Sequence, residues 1–141
     1  MSKMVIGYTS GVYDLFHIGH LNLLKHAKEK CDYLIVGLTT DELVQYKGKS
    51  PVITLSERME IVSAIKYVDK VVIQDDLDKV KAWDKYHYDI LFVGDDWKGT
   101  DKWNNYETQL KKVGAKVVYL PYTKTTSSTL ITKVLKELVN A

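Results

Sequence analysis

Apolar runs and amphipathic stretches alternate along the whole chain. Met4 to Thr9, Tyr33-Leu34-Ile35-Val36-Gly37-Leu38, Val71-Val72-Ile73, Ile90-Leu91-Phe92-Val93 and Lys116-Val117-Val118-Tyr119-Leu120 read as strands. A continuously apolar strand, unlike one that alternates, suggests burial on both faces of a parallel sheet. Between these runs the apolar residues recur at helical spacing from about Gly19 to Lys30 and from Leu77 to about Tyr86, where Val80 and Trp83 share one side. A short helical stretch begins near Asp41. Thr54-Leu55-Ser56-Glu57 has the form of a capping box opening a helix whose apolar side is Met59, Ile61, Val62 and Ile65. A last helix runs from about Ser128 to Leu138. Strands alternating with helices predict an α/β fold, a doubly wound Rossmann-like parallel sheet of about five strands, in a single domain over residues 1–141. There is no internal repeat, linker or low-complexity segment.

In such sheets ligands bind beyond the carboxyl ends of the strands, near the point where strand order reverses. Four segments carrying chemistry fall at those ends: Gly11 to His20, Thr39-Thr40-Asp41, Gly94-Asp95-Asp96-Trp97, and Thr123 to Thr129. In the first, Gly11-Val12-Tyr13-Asp14-Leu15-Phe16-His17-Ile18-Gly19-His20 occupies a strand-to-helix turn. His17 and His20, three residues apart, can point the same way from the start of a helix. Unpaired N–H groups there attract phosphate. Imidazoles beside them can donate hydrogen bonds that strengthen as charge builds up in a transition state. Serine and cysteine are absent from the stretch, so the chemistry implied is positioning and charge stabilisation at a phosphorus centre. The competing readings are metal ligation, for which the lone Cys31 and distant His87 offer no third ligand at suitable spacing, and plain helix capping.

Composition narrows the class. A chain of 141 residues that is 45% hydrophobic and 27% charged fits one ordinary globular core. A formal charge of +2 gives no electrostatic case for a nucleic-acid partner. One cysteine cannot form an internal disulfide, which suits a reducing, cytoplasmic setting, and no apolar run approaches the length of a membrane span.

The remaining segments each have a use and a bland counterpart. Tyr46-Lys47-Gly48-Lys49 is a cationic loop suited to phosphate, or simply a solvated one. Asp95 and Asp96 can hold Mg²⁺ through water, bond a ribose, or only cap the next helix, and Trp97 can cover a base. Hydroxyls and amides from Thr123 to Thr129 can form a second phosphate cradle, with Ser127 or Ser128 as N-cap.

The run Gly11 to His20 resembles the HxGH signature of the nucleotidyltransferase superfamily. Gly94-Asp95-Asp96-Trp97-Lys98-Gly99 resembles the small bacterial cytidylyltransferases that act on glycerol 3-phosphate. Glu57-Arg58 and Lys66-Tyr67-Val68-Asp69 are similar to the family's ER and RYVD segments, with lysine in place of the usual arginine at Lys66. Tyr122-Thr123-Lys124-Thr125-Thr126-Ser127-Ser128-Thr129 falls where the family carries RTEGIST, and departs from it at Tyr122, Lys124 and Thr125. The resemblance implies attack by an alcohol phosphate on the α-phosphorus of CTP, with pyrophosphate leaving and Mg²⁺ as cofactor. It implies His17, His20, Asp14 and Lys47 in the catalytic centre. Thr9, Ser10, Gly11, Val12, Asp95, Asp96, Trp97, Thr123, Lys124, Ser127, Ser128 and Thr129 would hold the nucleotide. Lys49, Arg58, Lys66 and Asp69 would hold the acceptor. No direct protein ligand to a metal is expected. The product implied is CDP-glycerol, a precursor of teichoic acid or capsular polymer, made by a homodimer. Other expectations kept open are a different alcohol or sugar phosphate as acceptor, ATP as donor, and a non-catalytic nucleotide-binding protein.

Overall fold

The computed structural model describes residues 3–46, 48, 50–121 and 127–140. Five parallel strands, β1 (Ile6–Gly11), β2 (Tyr33–Thr39), β3 (Lys70–Gln74), β4 (Ile90–Gly94) and β5 (Lys116–Leu120), lie in the order β3-β2-β1-β4-β5. The chain builds outward from β1 to β3, then returns to the other side of β1 for β4 and β5. The reversal therefore falls between β1 and β4. There the ladder pairs only Gly7 with Ile90 and Tyr8 with Leu91, whereas β1 stays paired to β2 as far as Gly11 and Leu38. A crevice opens where the β1–β4 pairing stops.

Side chains alternate between two cores, as a strand period of two requires. Leu34, Val36 and Leu38 of β2 face a core shared with Leu24 and Ala27 of α1 (Ile18–Glu29) and Val62 of α3 (Leu55–Ser63). Ile35 faces the opposite core, with Tyr8, Ala82 of α4 (Lys79–Tyr86), and Trp103 and Leu110 of α5 (Asp101–Lys111). The apolar runs are continuous because both faces are covered.

The structure differs from the sequence pattern in three places. The helix α5 stands between β4 and β5 where the pattern assigns no element; its polar content hides it, and Thr100 caps it by accepting from the Trp103 N–H. Thr54 occupies the N-cap of α3, but its side chain makes no cap bond, so the capping box is absent. Instead Asp41 Oδ2, at the start of α2 (Asp41–Tyr46), accepts from the Leu55 N–H at 3.2 Å. Finally, Ile61 points outward, 39% exposed, while Arg58 occupies an inward position of α3 at 1% exposure.

Arg58 is a structural tie. Its Nε donates to the Ile53 carbonyl at 2.9 Å, one terminal nitrogen to the carbonyls of Val12 (2.7 Å) and Thr39 (2.9 Å), and the other to the carboxylate of Asp41. One guanidinium thus joins the turn after β1, the end of β2, the loop before α3 and the start of α2. A charge so placed is tolerated because it is both paired and hydrogen-bonded. Arg58→Ala leaves the Asp41 carboxylate without its cationic partner and three carbonyls without the guanidinium donor, and is expected to destabilise the fold by about 3–5 kcal/mol. Arg58→Lys cannot span the four acceptors and should recover little of that loss. Urea unfolding of both variants measures the effect; wild-type stability in either would mean that Arg58 is not the tie described.

Candidate active site

The turn after β1 is held in an unusual backbone. Tyr13 and Leu15 both have left-handed conformations (φ 55° and 51°), which cost on the order of 1–2 kcal/mol for residues with a Cβ. Three contacts hold them there. The Tyr13 ring is buried and lies 5.0 Å from the His20 ring. Asp14 accepts from the backbone N–H groups of Val52 (2.7 Å) and Ile53 (2.9 Å) through its two carboxylate oxygens. Ser128, at the start of α6 (Ser128–Asn140), donates its hydroxyl to the Asp14 carbonyl.

His17 and His20 form the capping box of α1. His17 Nδ1 accepts from the Gly19 N–H at 3.0 Å, and His20 Nδ1 accepts from the His17 N–H at 3.2 Å. The rings stack with centroids 3.9 Å apart. With each Nδ1 engaged as an acceptor, the neutral rings carry their proton on Nε2 and present it as a donor. Burial lowers the pKa of both. His20 falls to about 4, through desolvation first and proximity to His17 second, partly offset by Asp14. The pair is therefore neutral at physiological pH. Helix capping and ligand contact are compatible here because they use opposite nitrogens of the same ring.

Two cavities meet at His20, and His17 lines the smaller of them. The smaller, about 320 Å³, is lined by Ser10 and Gly11 of β1, by His17, Gly19 and His20, and by Gly94, Asp96 and Ser127. It is the crevice at the strand reversal. The larger, about 1130 Å³, lies between the loop at 50–52 and α6. Val12, Tyr13, His20, Ser128 and Thr129 line both, so the His20 ring forms part of the wall between two compartments.

Most of the expected nucleotide-side residues converge on the smaller cavity. Ser10, Gly11, Val12, Asp96, Ser127, Ser128 and Thr129 line it. Ser127 also caps α6, accepting from the Leu130 N–H at 3.0 Å. Asp96 folds back over Gly94, where an added Cβ would lie 2.7 Å from Asp96 Oδ1. Thr9 is placed differently from the expectation. It is buried, and its hydroxyl donates to the Phe92 carbonyl, bracing β1 against β4. Asp95 and Trp97 share the 3₁₀ turn with Asp96 but line neither cavity, and Trp97 is half-exposed. Lys47, Lys49, Thr123 and Lys124 lie outside the described residues.

The expected acceptor residues are not brought together. The Arg58 guanidinium is buried and engaged as described, with no face toward either cavity. Asp69 accepts from the Leu34 N–H at the start of β2 and pairs with Lys28 near the end of α1. That is the amino-terminal end of the strands, opposite the cavities. Lys66 precedes β3 at the same end, with its amine 5.2 Å from the Tyr67 ring centroid. The backbone there comes down from α3 to re-enter the sheet, which takes both residues away from the crevice.

Other residues at or beside the cavities have no counterpart in the motifs. Lys79 Nζ lies under Ser10, 2.6 Å from its Oγ and 3.1 Å from Gln74 Oε1. The larger cavity is walled by Ser50, Pro51 and Val52 and by Thr132, Lys133, Lys136, Glu137 and Asn140 of α6. Their polar spacing along α6 is a helical stripe, the one signal in the sequence that points to them.

With this geometry in view, the comparisons with known proteins converge. The family model described as Cytidylyltransferase-like matches residues 8–134. A glycerol-3-phosphate cytidylyltransferase of Bacillus spizizenii is 39% identical over 132 residues, covering 93% of this chain and 95% of that protein. An FAD synthase of Thermococcus sibiricus is 32% identical over 139 residues, covering 97% and 94%. Among solved structures, the lipopolysaccharide core biosynthesis protein of Thermoplasma volcanium superposes with a TM-score of 0.73 at 27% identity, over 88% of this chain and 100% of that one. The chain belongs to the cytidylyltransferase-like family, as a nucleotidyltransferase built around the paired histidines at the start of α1.

Proposed function

We propose that the protein transfers a cytidylyl group from CTP to glycerol 3-phosphate, releasing pyrophosphate and forming CDP-glycerol. The observation that carries the reading is the position of His17 and His20, neutral Nε2–H donors at a helix N-terminus where a nucleotide-sized crevice meets a second compartment. A phosphate oxygen of the acceptor attacks the α-phosphorus in line and the bond to the β-phosphate oxygen breaks. Negative charge then grows on the oxygens between, and fixed N–H donors stabilise it without reorganising. The Asp14 carboxylate acts through the loop it holds, since backbone N–H groups occupy both its oxygens. The glycerol acceptor is supported by relatives such as the Bacillus spizizenii protein at 39% identity.

Mg²⁺ suits the donor set as an ion carried mainly by the nucleotide. Among the described residues no group of three or more His, Cys, Asp or Glu side chains is arranged to hold a metal. Asp96, on the wall of the smaller cavity, is the carboxylate available to such an ion, which commonly keeps several waters. When bound, it would offset charge on the triphosphate.

The test is pyrophosphate release from CTP, ATP, GTP and UTP, each paired with glycerol 3-phosphate, phosphocholine, phosphoethanolamine, sugar phosphates or a flavin phosphate. Release is expected with CTP and glycerol 3-phosphate, and kcat is expected to fall by about 10²–10³ in either His17→Ala or His20→Ala. Preference for ATP with the flavin phosphate would transfer the assignment to the activity named for the Thermococcus sibiricus relative. No release with any pair would favour a binding protein.

The same histidines predict a pH effect on stability. His20 has a folded pKa near 4, below the unfolded value near 6.5. Between those values the unfolded chain binds more protons than the folded one, so stability falls as pH drops from about 6.5 towards 4. In His20→Asn, whose side-chain oxygen can still accept from the His17 N–H, the decline in urea midpoint between pH 7 and pH 4.5 should be shallower than in wild type. Equal slopes would show that His20 is not buried in its neutral form.

A further inference from the structure

With Arg58 in the core and Lys66 and Asp69 at the far end of the sheet, three of the four acceptor partners that the motifs suggest stand away from the cavities, and the fourth, Lys49, lies outside the described residues. Among the described residues, the other ionisable walls of the larger cavity offer a phosphate no positive charge. Asp14 and Glu137 are both acidic, and His20 is neutral. Among its described lining residues the cations are Lys133 and Lys136, three apart on one side of α6. No ion pair among the described residues involves either lysine. Hydroxyls of Ser128, Thr129 and Thr132 line the same wall closer to the start of the helix. Ser128 holds that end against the turn that carries Tyr13 and His20.

We propose that the larger cavity is the acceptor subsite and that Lys133 and Lys136 of α6 bind the acceptor's phosphate, making this helix the specificity wall for an anionic alcohol phosphate. The inference rests on the cytidylyl-transfer reading and deepens it. The smaller cavity, with the strand reversal and Asp96, takes the nucleotide, and the acceptor enters from the α6 side. His20, common to both, then stands where the two substrates meet. A dianionic phosphate held by two ammonium groups leaves its third oxygen side free for attack, while Glu137 and Asn140, one turn on, are placed toward the hydroxyl end of the acceptor.

The experiment is the steady-state kinetics of Lys133→Gln/Lys136→Gln, with Lys111→Gln/Lys112→Gln at the exposed end of α5 as a control for lost charge. Both lysines of α6 are exposed, so the fold should be kept, and thermal unfolding checks that it is. The expected result is a rise of at least tenfold in KM for glycerol 3-phosphate, with KM for CTP changed less than twofold and the control unaffected. An unchanged acceptor KM, or a rise confined to CTP, overturns the proposal. If wild type turns over CTP with a different alcohol phosphate, the glycerol assignment fails while the same comparison, made on that acceptor, still decides the role of the lysines. If wild type turns over nothing, titration calorimetry with glycerol 3-phosphate decides: equal or absent binding in wild type and variant overturns the proposal, and binding weakened tenfold in the variant alone supports it.

Discussion

The guanidinium of Arg58 is the interaction on which the site geometry depends. It lies at the carboxyl ends of β1 and β2, where a parallel sheet leaves backbone carbonyls without strand partners. By donating to Val12 and Thr39 it satisfies two of those carbonyls, and by donating also to Ile53 and pairing with Asp41 it locks four chain segments together. Two of the segments, the turn after β1 and the loop before α3, are walls of the cavities. An arginine is suited to this because its donors diverge in a plane, whereas a lysine amine offers donors from one point.

The turn that Arg58 supports is itself strained, with Tyr13 and Leu15 in left-handed conformations. Its shape persists because independent contacts determine it: the buried Tyr13 ring, the Asp14 carboxylate on two amides, and the Ser128 hydroxyl. Strain held in this way is common where a turn must aim functional groups. Here it delivers the chain to His17, whose Nδ1 caps α1 and so directs its Nε2 outward. One backbone bond therefore sets the helix start, the ring tautomer and the donor direction together. His20 repeats the arrangement one turn along, and burial keeps it uncharged. A neutral donor interacts weakly with solvent ions and strengthens most when charge develops opposite it.

The two compartments follow from topology. The crevice at β1 and β4 exists because crossovers leave those strands in opposite directions, so no connection covers their ends. The second compartment exists because α6, capped by Ser127, crosses the same edge and is fastened there through the Ser128 hydroxyl on the Asp14 carbonyl. The smaller compartment is built by the ends of the sheet, while the larger is walled by a helix whose stripe facing it is polar.

Sequence by itself determined the strands, their parallel pairing, most of the helices and the location of the chemistry, because these depend on local apolar runs and on short motifs whose spacing survives folding. Gly11 to His20, Asp96 and Ser127 to Thr129 needed no tertiary information to be placed at the strand ends. Only the tertiary structure decided Arg58, which its motif offers to an acceptor phosphate until the carbonyls of Val12 and Thr39, from distant segments, and of nearby Ile53 are seen around it. It also decided Asp69, whose partners Leu34 and Lys28 are 35 and 41 residues away. Lys133 and Lys136 show in the sequence only as part of a polar helical stripe, for a related reason. A charged residue on a terminal helix has the same local pattern whether it faces solvent or a cavity, and what it faces is fixed by where the helix packs, a property of long-range contacts that no local window contains.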